Sequence, residues 1–534
     1  MKIYVLLVAL LMQLPGQLPT PVLDGLAKEV EALKAEIERL KAVVPPPVNP
    51  PAPTLNIAVP AGSNLQTVLD AAAPGSTLLL EQGATFSTNL ILRNKIGTAT
   101  TFIRTAGLDD TVLPPGQRID PSSAGVSQMA KLVCLDCLKS IVSSDAGAHD
   151  YTFVGVEFLP NLPHPDRTLI QFGVTAASAY VATYEDQPSN ITFDRVYVHA
   201  DVTLGGHQGI MLDGRHMTVI NSDIRGFWEK GRDSQAISLV QAQGPILIEN
   251  NYLEGSGENF MAGGSDPVIQ NAVPSDITFR GNYVFKPLAW KLITGATKNL
   301  FELKNARRVL VENNVFENNW PDGQPGNAIL ITVRNQNGGC TWCVVEDVLF
   351  QNNVLKNGGL FAVNILGTDN LHLSGVSGTI RFVNNLIGGV SRGFQIAAPM
   401  TGLEVSHNTF VSVTYTFLAF VSAKSPLVKG TGLNVHDNVT ASGSYGITGT
   451  NLTPGTLAME GFFEAPTFAG NVIEKTIVRT VAYPAGNFLL TPATLGGLLD
   501  SQGRYLGIEV GTDGLKPGAD VDVIRQKIPW LVWP

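Results

Sequence analysis

A short strand–asparagine–strand phrase recurs along most of this chain at an interval that no hairpin array produces. It reads ITFDRVYV (191–198), TVINSDI (218–224), ILIENNYLE (246–254), ITFRGNYVF (277–285) and VLVENNVFE (309–317). It continues as VLFQNNVLK (348–356), IRFVNNLI (380–387), LEVSHNTF (403–410), LNVHDNVT (433–440) and TFAGNVIE (467–474). With Asn251, Asn282, Asn314, Asn353, Asn385, Asn408, Asn438 and Asn471 as markers, the intervals are 31, 32, 39, 32, 23, 30 and 33 residues. Hairpin strands recur every ~8–12 residues. Three short strands with bends between them fill one turn of a parallel β-solenoid, and the leucine-rich and propeller signatures are absent. Asparagine suits the bend because it tolerates left-handed backbone and bonds locally. Stacked on its equivalent one coil away, its amide can also extend a hydrogen-bonded ladder. Glu249, Arg280, Glu312 and Gln351 each precede a marker by two residues and are expected as an outward polar ladder. The predicted fold class is therefore all-β, a parallel β-helix over about 56–490.

The ends of the chain differ from this body. Lys2 followed by the apolar run Ile3 to Leu14 makes residues 1–20 read as a signal peptide or membrane-proximal segment, and the run is too short to span a bilayer. The expected location is secreted, cell-surface or periplasmic. Residues 22–44 predict a coiled coil, with Leu23, Val30, Ile37 and Val44 at one heptad position and Leu26, Leu33 and Leu40 at the other. Glu29 and Glu36 then face Lys34 and Lys41 of a parallel neighbour, which implies self-association as a dimer or trimer. A Pro-rich linker, 45–55, separates this helix from the body. At the start of the body Ser63 is placed to cap a helix whose Leu65, Val68 and Leu69 cover the first coil. Residues 491–534 are expected to close the last coil with Ile524, Ile528, Trp530, Leu531 and Trp533.

Composition narrows the function classes. Hydrophobic residues at 44% exclude a disordered chain, and no internal run of 18 apolar residues marks a polytopic membrane protein. A net charge of −9 without a basic run argues against a nucleic-acid partner. The two CxxC motifs, Cys134–Cys137 and Cys340–Cys343, lie too far apart along a stiff solenoid to share zinc, so local disulfides or free thiols are expected. His207, His216, His407 and His436 show no metal-ligand spacing, and Asp513, Asp520 and Asp522 do not have that of an EF-hand.

Three segments carry a resemblance. AGSNLQTVLDAAAPGSTLLLEQGATF (61–86) is similar to the N-terminal cap of the right-handed parallel β-helix superfamily, which includes pectate lyases and other polysaccharide lyases and hydrolases. GENFMAGGSDP (257–267) and NLFELKNARRVLVENNVFENNW (299–320) resemble an exported bacterial branch of it. The resemblance spans about 56–520 and implies a right-handed coil. It further implies a polysaccharide partner, since members cleave uronic-acid polymers, hydrolyse glycosides or serve as adhesive and structural rods.

The densest polar stretch, Glu254 to Gln336, is the expected site. In a lyase, Lys304 or Arg334 would take the uronate C5 proton, with Lys291 as a loop alternative, and Glu258, Asp266 and Glu302 would hold Ca²⁺. In a glycoside hydrolase, Glu258 and Glu302 would act as paired carboxylates. Trp290, Lys291, Trp320, Asn335 and Gln336 are the expected substrate contacts, the indoles as platforms for sugar rings. A non-catalytic adhesive or surface rod fits the lack of a decisive motif, and the coiled coil would serve multivalent attachment. Glu302 and Lys304 also read as an ordinary solvent-exposed pair.

Overall fold

The computed structural model describes residues 55–531, apart from 109, 162–167, 175–180, 294, 476–480 and 492–496. The signal-like segment 1–20 and the coiled coil 22–44 lie outside the described residues. Among those described, the strands form three long parallel sheets. The first runs from Leu55–Val59 to Phe463–Glu464, the second from Leu90–Leu92 to Ile447–Gly449, and the third from Thr85–Thr88 to Phe488–Leu490. Each strand pairs with its counterpart one coil away, as in Ile277↔Val309↔Val348. The expected fold class, all-β with parallel coils, is therefore the one observed.

The asparagine ladder is continuous. Each marker amide donates to the carboxamide oxygen of the next, from Asn251→Asn282 at 3.1 Å through Asn438→Asn471 at 2.9 Å, and Asn487 extends the row. Each marker backbone N–H also bonds to the next side-chain oxygen, so buried donors are satisfied along the whole seam. The left-handed residue, however, is the one before each marker: Asn250, Asn313, Asn352, Asn384, His407 and Asp437 have φ between 51° and 58°. The marker asparagine works through its amide, and its predecessor makes the bend. Glu249↔Arg280↔Glu312↔Gln351 form the expected outward row, with Arg280–Glu249 at 2.9 Å and Gln351–Glu312 at 2.8 Å.

Inside the coil, phenylalanines stack at the coil repeat: Phe153 on Phe193 and Phe260 on Phe301 at 4.9 Å, Phe350 on Phe382 at 4.8 Å. The first coil is covered by the helix Leu65–Ala71, whose Leu65 and Leu69 are buried; its cap is Asn64, accepting from Thr67 N, rather than Ser63. The helix Thr456–Phe462 closes the other end, with Ala458, Met459 and Phe462 in the main core. The C-terminal residues, expected to close the last coil, instead return along the third sheet. Ile524 and Ile528 pack on Val315, Val354 and Leu386, and Trp530 meets Tyr283 at 5.9 Å and Arg118 at 4.6 Å. Sequence does not say which apolar face Ile524, Ile528, Trp530 and Leu531 cover; Trp533 lies outside the described residues. Both CxxC pairs are disulfides.

Candidate functional site

Two buried glutamates occupy neighbouring strands of the second sheet, Glu258–Ala262 and Asn299–Leu303, in the register Glu258↔Asn299 and Met261↔Glu302. Their carboxyls are hydrogen-bonding neighbours. Gln235, one coil earlier, donates to Glu258 Oε2 at 2.6 Å, and Gln208 donates to Gln235 at 2.5 Å, so a row of polar side chains leads into the pair. Lys304 Nζ lies 3.1 Å from Glu302 Oε1, and Lys298 Nζ lies 3.8 Å from Glu258 Oε1 and pairs with Asp233. Lys304 lies over the Gly263–Gly264 turn; both glycines have φ above 90°, and a Cβ at Gly263 would stand 3.0 Å from that of Lys304.

The environment separates the two acids. Burial opposes ionisation of Glu258, but the hydrogen bond with Glu302, the two lysines and Gln235 hold its carboxyl below the usual range. Burial and the Glu258 charge push Glu302 up, so Glu302 carries the proton. Burial works against the charge on Lys304, yet Glu302 and Glu258 outweigh it and raise the ammonium above its ordinary value. Lys286 is wholly buried and donates to the carbonyls of Gly255, Ser256 (3.0 Å) and Gly257 (3.2 Å), tying down the bend that enters the Glu258 strand. Burial pushes this lysine down to about 7.

Beyond the oxygens that share a proton in the Glu258–Glu302 pair, Oδ1 of Asn299, the register partner of Glu258, is a buried oxygen without a hydrogen-bond donor. Such a donor set suits a hard cation. Asp266 does not complete it: its Oδ2 accepts from the backbone of Asn337 (3.0 Å) and Gly339 (2.9 Å) and so holds the turn after Arg334.

Arg334 follows the adjacent strand and bonds through its backbone to Lys304 O at 3.0 Å. Its guanidinium is fixed by Asp369 (3.3 Å) and Asn370 (2.9 Å). Asn335 is buried, with its amide spent on Leu373 O and Cys340 N, and is a loop anchor; Gln336 is exposed. Trp290 and Trp320 are buried, at 5% and 7% exposure, so neither presents the open indole expected. Lys291, exposed, sits 5.3 Å over the Trp320 ring. Sequence reasoning missed Gln235, Lys298, Asn299 and Lys286. The only signal for the first three is strand register, which one sequence does not display.

The sequence pattern of the right-handed β-helix region family matches residues 208–410, the interval that contains this whole cluster. No curated protein matches the chain. Among solved structures the chain is similar to a PL6 family alginate lyase, AlyGC, at a TM-score of 0.50 and 12% identity, covering 88% of this chain and 56% of that one. A mutant of the same lyase gives 0.51 at 12% identity, over 90% and 59%. The chain thus spans little more than half of that enzyme, and the likeness is one of fold. A periplasmic alginate epimerase is more distant, at a TM-score of 0.36 and 8% identity over 82% and 85%. Its three parallel sheets and the family match over 208–410 give the chain the fold of a right-handed parallel β-helix.

Proposed function

We propose that the chain is an exported polysaccharide lyase that cleaves a uronic-acid polymer by β-elimination. The observation that carries this reading is the layering of charge. Glu258, Glu302 and Asp369 are buried, while Lys304, Arg334 and Lys291 reach solvent beside them; Lys298 does so only next to the more exposed Asp233. In a protein of net charge −9 this is a local reversal of sign, suited to an anionic polymer. Such polymers lie outside cells, in keeping with the signal-like residues 1–20.

In this reading Lys304 is the base. Its proton is held by Glu302 and Glu258, so engaging those carboxyls elsewhere lowers its affinity for the proton and frees the amine for C5–H. Glu302 and Glu258 are positioning residues that set the charge of Lys304. Lys298 and Arg334 bind substrate carboxylates. Ca²⁺, the cation we assign to Glu258 and Glu302, would when bound neutralise the uronate carboxylate and stabilise the developing enolate. A glycosidase needs its carboxyls roughly 5–9.5 Å apart with the scissile bond between them. Glu258 and Glu302 bond to each other, and this favours elimination over hydrolysis.

The test is a panel of pectin, alginate, glucuronan and glycosaminoglycan, with calcium or a chelator, followed by the ultraviolet absorbance of the unsaturated product. Lys304→Ala should lower turnover by about 10²–10⁴-fold with the fold intact. Full activity in that variant would remove Lys304 as the base. Glycan binding with no turnover on any polymer would favour the adhesive rod.

A further inference from the structure

One imidazole–carboxylate cluster lies far from the glutamate pair. His407 and Asp437 occupy the same left-handed bend in successive coils, with φ of 51° and 56°, and His436 immediately precedes Asp437. The coil repeat therefore stacks the three, although 29 residues separate the two histidines. One ligand atom from each of His407, His436 and Asp437 falls within a set whose members are all within 4.8 Å of one another. His436 Nδ1 is 2.8 Å and His407 Nε2 3.9 Å from Asp437 Oδ2. On the far side, Asp513 of the returning C-terminal segment places its Oδ2 3.0 Å from His407 Nε2.

Tetrahedral ligands ~2.0–2.1 Å from a metal stand about 3.3 Å apart, and the separations above bracket that value. Two imidazoles with one or two carboxylates are borderline-soft donors, matched to zinc and its first-row neighbours rather than to calcium. Outer contacts orient the ligands. Asp437 is wholly buried and accepts from Thr512 N at 2.7 Å and Thr512 Oγ1 at 2.6 Å, and Glu404 lies 3.8 Å from the other ring nitrogen of His436.

We propose that His407, His436 and Asp437 bind a zinc-type divalent ion, with Asp513 as the fourth ligand, and that this ion clasps the C-terminal segment onto the third sheet. The neighbouring attachments run the same way: Gly518 N bonds to Asp437 O at 2.7 Å and Ala519 N to Thr409 Oγ1 at 2.9 Å. The ion would therefore lock a segment that already docks, and zinc would slow its release.

The full-length protein, stripped with a chelator, is titrated with Zn²⁺ by calorimetry and with Co²⁺ by its visible spectrum. Wild type should take up one more zinc per chain than His407→Ala, and cobalt should give the intense bands of tetrahedral coordination. Asp513→Asn, at a half-exposed side chain that leaves the coil intact, should weaken zinc binding about tenfold or more. Zinc should also protect residues 497–519 from limited proteolysis in wild type and not in His407→Ala. Equal zinc uptake by wild type, His407→Ala and His436→Ala, all shown folded by circular dichroism, would overturn the proposal. So would a C-terminal segment whose proteolysis zinc leaves unchanged.

Discussion

Glu302 hydrogen-bonds to Glu258 with both carboxyls withdrawn from solvent, and the two divide one proton between them. Two bare carboxylates at this distance in a low-dielectric site would repel strongly, so a proton or a cation must sit with them. Glu258 has Gln235 and Lys298 for company and takes the charge; Glu302 takes the proton.

That division predicts unequal variants. Glu302→Gln keeps a donor toward Glu258 and should cost within about 1 kcal/mol. Glu258→Ala leaves Gln235 and the lysines without their acceptor in a buried site and should cost about 3–5 kcal/mol. Denaturant midpoints of the two variants check this, and equal losses would contradict the assigned proton.

The asparagine ladder should be far more sensitive than the outward row beside it. Asn353 Oδ1 accepts both the backbone N–H of Asn314 and its side-chain amide, at 3.0 Å each. Asn353→Ala orphans both donors and should cost roughly 2–4 kcal/mol. Glu249→Ala, which breaks only the half-exposed pair with Arg280, should cost less than about 1 kcal/mol. Urea unfolding of each variant measures the contrast.

Asp213 predicts a pH dependence. Burial pushes its carboxyl up from 3.8 to about 6, while the N–H groups of Val240 and Gln241 bond to Oδ1 at 2.7 and 2.9 Å. The folded-state value lies above the unfolded one, so the stabilisation is full below about pH 4 and is lost as pH rises through about 6. Asp213→Asn removes that loss. Its stability relative to wild type should rise by on the order of 2–3 kcal/mol between pH 4 and 7. A constant offset across those pH values would refute the assignment.

The heptads of 22–44 predict self-association. Light scattering should give a dimer or trimer for the full chain, and a monomer for a chain beginning at Leu55. Leu33→Asp, which puts a charge into the seam, should dissociate the oligomer and leave the β-helix folded. Monomer mass for the intact chain would end this reading.

The repeat made the architecture legible in advance. Apolar residues alternating about one asparagine every 23–39 residues leave a parallel coil as the arrangement that buries them all and satisfies the amides. The same pattern exposed Glu258, Glu302 and Lys304, because they interrupt an otherwise apolar rhythm. It hid whatever depends on which coil lies beside which. Gln235 meets Glu258 from 23 residues away, Lys298 approaches from 40, and Asp513 reaches His407 across 106. Asp266, expected as a metal ligand, and Asn335, expected as a substrate contact, serve as turn anchors, since a polar residue near a site is as readily used by a loop's own backbone. The C-terminal apolar residues were known to need a partner surface; that it is the flank of the third sheet follows from Val315, Val354 and Leu386 being brought into one line there. Local patterning fixes how each residue faces its own strand. The pairing of distant coils decides which charges share a proton, which could share a metal, and where the tail docks.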